Sequence, residues 1–143
     1  MLTLIVALAA LAEAPKGIDE AALKKLQGSW QVTAQEHGGK RSPAKELASL
    51  TLEVARSRFT TRDGGDVKED AEVVHLDARA TPAAVDLKIT AGPDRDKVIK
   101  GIWKLDGEEL TVCIAEPGRE RPKEFKGAEG MGQTLLAFKR AKK

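Results

Sequence analysis

Tyrosine and asparagine are both missing from this 143-residue chain, and cysteine occurs once, at Cys113. Without Asn there is no N-glycosylation acceptor and no Cys–His–Asn catalytic arrangement. A lone Cys cannot close an internal disulfide, and it cannot supply a four-thiolate zinc site or an iron–sulfur cluster. Histidine is limited to His37 and His75, a poor zinc set unless they meet in space and find a third ligand. Three Phe and two Trp are too few for a stacking platform on nucleic acid. Charge of one sign is lacking as well. Lys plus Arg is 24 against 22 for Asp plus Glu, a net +2, so the balance points to neither nucleic acid nor a membrane surface. Four serines, at 29, 42, 49 and 57, stand outside any Gly-x-Ser-x-Gly elbow. No cofactor motif is present, and the expectation is a protein that is not an enzyme, with no cofactor and no metal.

The length fits one domain, which the sequence places at residues 15–143. Residues 1–14 differ from the rest: Leu2 to Ala12 is apolar apart from Thr3. Such a run is too short to span a bilayer as a helix. It fits the apolar region of a signal peptide, with Ala12-Glu13-Ala14 supplying small residues at a cleavage site before Pro15. No Lys or Arg precedes it. A buried first helix or a membrane tether is the alternative. The expected location is outside the cytoplasm, in the periplasm, the cell envelope or the medium, with no stable membrane span.

A short helix is expected over Ile18–Gln27, with Asp19 as N-cap, Ala22, Leu23 and Leu26 as its apolar stripe and Gly28 at its end. Beyond it the pattern alternates with period two and is cut by Gly, Pro and Asp turns, which is the signature of strands. Eight are expected: Ser29–Glu36, Ser49–Ala55, Ser57–Arg62, Val67–Asp77, Ala84–Thr90, Lys97–Leu105, Glu109–Ala115 and Gln133–Arg140. A helical turn at Ala44–Ala48 and a long Gly- and Pro-bearing loop over 116–132 interrupt them. The register of Val67–Asp77 is ambiguous, because Val73 and Val74 face opposite ways. Short links favour antiparallel neighbours, and eight such strands can close as an up-and-down barrel that has no edges. A β-sandwich or half-open barrel is the alternative.

Gly28-x-Trp30, after a short helix and opening the first strand, resembles the Gly-x-Trp signature of lipocalins. In lipocalins a basic residue of the last strand packs over that Trp, and Arg140 matches it by place and parity. Gly28, Trp30 and Arg140 are therefore the expected barrel-closing residues. A wider set of motifs comprises Leu26–Trp30, Gly101–Leu110, Cys113, Arg121-Pro122-x-x-Phe125 and Gly130-x-Gly132-Gln133-x-Leu135. Together these resemble a planctomycete-type family of small exported lipocalin-like domains, over about residues 23–140. The family has no assigned function, so the resemblance implies a fold and no reaction.

Trp103, Gly101 and Leu87 are candidate cavity residues, and their bland reading is core packing. Arg121, with Lys123, Lys126 and Phe125 in the long loop, is a candidate for holding a carboxylate head group at the barrel mouth, or for a fixed structural partner. Asp63, Asp66, Glu69 and Asp70 read as a solvated turn or a weak Ca²⁺ site. Two readings of function stay open. One is a monomeric lipocalin-like module for a small apolar ligand. The other is a filled barrel that serves a structural or protein-interaction role with an envelope protein.

Overall fold

The computed structural model describes residues 17–141. The proposed signal peptide, residues 1–14, and the terminal Lys142 and Lys143 lie outside the described residues. The chain forms helix α1 (Glu20–Leu26), strand β1 (Gly28–His37), a two-residue strand β2 (Lys40–Arg41) and a helical turn α2 (Ala44–Leu47). Seven strands follow: β3 (Leu50–Ala55), β4 (Arg58–Asp63), β5 (Asp66–Asp77), β6 (Ala83–Ile89), β7 (Val98–Asp106), β8 (Glu109–Ala115) and β9 (Gln133–Arg140). Apart from β2, which only extends the end of β1, each strand pairs antiparallel with the next, and β9 pairs back onto β1. The result is a closed, eight-stranded, lipocalin-like antiparallel barrel with a short N-terminal helix. Closure rules out the sandwich.

Alternation sets which residues face inward. Leu52 and Val54 of β3, Val85, Leu87 and Ile89 of β6, and Leu110 and Val112 of β8 are buried in one continuous interior. Their chain neighbours Glu53, Lys88 and Glu109 are exposed. The ambiguous strand β5 is resolved by a bulge between Val73 and His75. One extra residue there lets Val73 (2% exposed) and Leu76 (1%) both point inward, while Val74 turns out to solvent.

Helix α1 is one residue pair shorter at its start than the periodicity suggests. Asp19 is its N-cap, its carboxylate accepting the Ala22 N–H at 3.1 Å. Ile18 precedes the cap and instead bridges Leu76 of β5, where the Asp19 N–H reaches the Leu76 carbonyl at 2.9 Å. With Ala22, Leu23 and Leu26 buried against the interior, α1 closes the end of the barrel where β1 starts and β9 finishes. The opposite end, where β4 turns into β5, is the mouth.

The loop 116–132 is a strap on the outer wall. Ala84, Ile102, Cys113 and Ala115 are buried yet lie outside the interior cluster. They form an apolar strip on the outer faces of β6, β7 and β8, which the loop covers with the buried Pro122 and half-buried Phe125. This small second core explains how Ile102 is fully buried between the exposed Lys100 and Lys104.

Candidate functional site

The closed end is organised by Trp30 and Arg140, which are register partners across β1 and β9. The guanidinium carbon of Arg140 lies 4.2 Å from the Trp30 ring centroid, a cation–π contact. Both side chains also complete the end of α1, whose last carbonyls have no partners within the helix. Trp30 Nε1 donates to Leu26 O at 3.0 Å. Arg140 donates to Lys25 O at 2.9 Å and Gln27 O at 2.8 Å. Gln27 supplies the Leu23 and Lys24 carbonyls through its side-chain and backbone nitrogens. Placing a cation there also suits the negative end of the helix. Gly28 is needed for this approach: its φ is +121°, and a Cβ would stand 3.2 Å from Arg140 Nη1.

The structure does not gather Trp103, Gly101, Leu87, Arg121 and Phe125 into one site. Leu87 points into the barrel. Gly101 also faces inward, but a Cβ there would meet Cys113 O and Ile114 Cγ2, each at 3.0 Å, and Val85 Cγ1 at 3.3 Å. Its glycine serves close packing and opens no space. Arg121 is not at the mouth. It lies on the outer wall at the level of Gly101, donating to Gly101 O at 2.9 Å and Val85 O at 3.1 Å. Its Nη2 is 2.7 Å from Asp86 Oδ1, an ion pair without hydrogen-bond alignment. The apolar strip on that wall attracts the strap, and Asp86 fixes Arg121 as it crosses. Both Nη atoms of Arg121 are engaged on that wall.

The barrel interior is nearly full. A void of about 60 Å³ lies toward the mouth, lined by Leu52, Phe59, Leu87, Ile99 and Phe138 with Thr61 and Glu69 as its polar members. A second, of about 10 Å³, lies beneath Trp103 and Leu26. Sites for drug-sized ligands run to about 300–1,000 Å³. Glu69 shares the inward parity of Ala71 and Val73. Although it keeps more than a third of its surface in water, partial burial at the apolar void pushes its carboxyl above the ordinary value, and Asp94 adds to the shift.

The concavity that two candidate residues do share is outside. An open groove of about 590 Å³ runs between α1, the segment 78–83 and the end of β7. Trp103, Leu105, Phe125 and Ala22 contribute apolar surface, with Lys25 and Lys104 beside them. The Trp103 ring is fixed by its Nε1 donating to Ala84 O at 3.0 Å. The Lys104 ammonium sits 4.7 Å from the Phe125 centroid.

The nucleophile candidates are dispersed. Cys113 is wholly buried, its Sγ 3.4 Å from Lys126 O and from Gln133 Nε2. Burial pushes its thiol above the ordinary value, outweighing the lowering by those two bonds, and Glu36 raises it further. His37 and His75 sit at opposite ends of the barrel, one bonded to Thr134 Oγ1 at 2.9 Å and the other to Gly17 O at 3.0 Å. Asp63 and Asp70 are turned to Ser49 and to Arg58 and Thr60 respectively. Among the described residues no three His, Cys, Asp or Glu side chains group to hold a metal ion, and no helix is long and apolar enough to cross a membrane. The chain matches no protein-family model and no curated protein.

Proposed function

We propose that the protein is a non-catalytic module of the small exported lipocalin-like kind, acting outside the cytoplasm, with a filled barrel as scaffold and its binding surface on the exterior. The observation that carries this reading is the interior volume: voids of about 60 and 10 Å³ against the few hundred that a lipocalin-type ligand requires. The dispersed Cys113, His37 and His75 support a binding role over a hydrolytic one, since nucleophile and base must be within hydrogen-bond reach. The apolar leader at Leu2–Ala12 supports export.

Benzene titration followed by thermal unfolding tests the filled interior. The natural chain is expected to gain no stability. Leu87→Ala, which enlarges the void, is expected to become stabilised by benzene. Stabilisation of the natural chain would favour the other reading, a small apolar ligand held inside below Glu69, which rests on the mouth void alone. Intact-mass analysis of protein from its native source tests export. The mature chain is expected to begin at Pro15 or Glu13, and recovery of the uncleaved chain from the cytoplasm would refute it.

A further inference from the structure

We propose that the outer groove between α1 and the end of β7 is a binding site for a single-chain anionic amphiphile, with the acid head at Lys25 and Lys104 and the chain on Trp103, Leu105 and Phe125. The proposal rests on the filled-barrel reading above and names the ligand class of its exterior surface.

The groove has the size of a small-molecule site, about 590 Å³. The chain makes it from small side chains beside large ones. Ala21 and Ala22 line it from α1, leaving a hollow that larger helix residues would fill. Opposite them stand one indole and one phenyl ring. Two other open hollows beside α1, of about 580 and 470 Å³, have no Trp or Phe in their walls. Trp103 is a core residue, 8% exposed, and its indole N–H is already bonded to the barrel wall, so the edge that reaches the groove is apolar with no polar demand of its own.

Charge sets the sign of the ligand. Lys25 and Lys104 form no ion pair among the described residues, as is true of most described lysines other than Lys88, Lys97 and Lys126; what sets these two apart is that both line the groove. The acid on the lining is Asp19, and its carboxylate is engaged as the N-cap of α1. Asp19 and Lys25 are six residues apart along the helix, about 9 Å at 1.5 Å per residue. The groove is thus acidic at one end and basic at the other, so an anionic head is repelled from the Asp19 end and drawn to the Lys25 end. Phe125 holds the Lys104 ammonium beside the apolar floor, which brings cation and chain-binding surface together. A neutral apolar molecule would leave both ammonium groups unused, and a cationic one would meet them as like charges.

Titration calorimetry of the full chain with decanoate, decyltrimethylammonium and decyl maltoside, each below its micellar concentration, tests the proposal. One equivalent of decanoate is expected to bind, with the other two at least tenfold weaker. The double variant Lys25→Glu with Lys104→Glu is expected to lose roughly tenfold in decanoate affinity and to favour the cationic amphiphile. Ala21→Trp, at an exposed helix position, is expected to fill the groove and abolish binding while the far-ultraviolet spectrum is unchanged. Equal binding of all three amphiphiles, binding of none, or charge variants that leave decanoate affinity unaltered would overturn the proposal. If decanoate binding survives Ala21→Trp but is lost in Leu87→Trp, the ligand is inside and the filled-barrel reading fails as well. If no amphiphile binds and benzene also leaves the natural chain unstabilised, only the groove proposal fails.

Discussion

The two ends of the barrel are built on different terms. At the closed end, five carbonyls from Leu23 to Gln27 accept hydrogen bonds from Gln27, Trp30 and Arg140, and the Trp30 ring is fully buried beneath a guanidinium. Among the described residues no buried side-chain nitrogen or oxygen at this end lacks a partner. At the mouth, Glu69 faces an apolar void, Val67 and Val98 are 53% and 41% exposed, and the β4–β5 turn runs through two positive-φ glycines. The difference teaches where stability resides. First and last strands must meet for the barrel to exist, and the helix end is the seal on that seam. The mouth only ends the sheet. Substitutions of equal size should therefore cost much more at the seam than at the mouth.

Trp30→Ala breaks the comparison most severely. Removing a wholly buried Trp is expected to cost about 3–5 kcal/mol. Arg140→Ala is expected to cost about 2–3 kcal/mol, from the lost cation–π contact and two helix carbonyls that lose their donor. The double variant should be less destabilised than the sum, with coupling of about 1–2 kcal/mol. Denaturant unfolding of the four proteins measures it. Additive effects would mean that Arg140 and Trp30 act separately and that the seal is two unrelated contacts.

The strap gives the next effect. Gly127 N–H donates to Glu36 Oε1 at 2.9 Å, and its carbonyl accepts the Gly39 N–H at 2.7 Å. A Cβ at Gly127 would be driven into the Glu36 backbone carbonyl. Gly127→Ala is therefore expected to lift the strap, at about 1–3 kcal/mol. Its sharper signature is the rate at which a thiol reagent labels Cys113, which should rise well beyond that of the natural chain. A matched Ala at Gly118, where a Cβ meets nothing within 4 Å, should leave labelling nearly unchanged, although its positive φ of +86° adds some strain. Equal labelling in both variants would show that the strap does not guard the thiol.

Legibility in the sequence followed the same division. The strands were readable because Leu50, Leu52 and Val54, or Val85, Leu87 and Ile89, repeat with period two between Gly turns. Asp19 was readable as an N-cap, and Trp30 and Arg140 by their places in the first and last strands. The strap was not readable. Residues 116–132 have no period, and their path depends on an apolar strip, Ala84, Ile102 and Cys113, contributed by three separate strands. One signal was available: Ile102 stands between Lys100 and Lys104 on an outward face and requires cover. Which of the two readings of Arg121 held was hidden for the same reason, since its partners Val85, Asp86 and Gly101 are distant in the chain. The groove joins α1, segment 78–83 and β7, which no local pattern connects. Glu69 could have been found, because it shares inward parity with Ala71 and Val73.

Glu69 supplies the smallest effect and the mouth's side of the comparison. Its carboxyl is raised in the folded state by partial burial, with Asp94 adding to the shift. Between the unfolded value and the raised folded value, the native state holds more proton than the unfolded state. Stability therefore falls as pH rises through that window and stays lower above it. Glu69→Gln removes the ionised form and should be more stable than the natural chain at neutral pH. The gain is expected to be about a few tenths of a kcal/mol, because water reaches the group and screens it. The advantage should disappear at pH values below the ordinary carboxylate range, where Glu69 is protonated in both states. Urea midpoints of the two proteins from acid to neutral pH measure it. A gain that is independent of pH would mean that Gln merely packs better against Thr61 and Phe59. A loss of stability at neutral pH would mean that the mouth, like the seam, holds its charge in a structural contact, and the contrast between the two ends would fall.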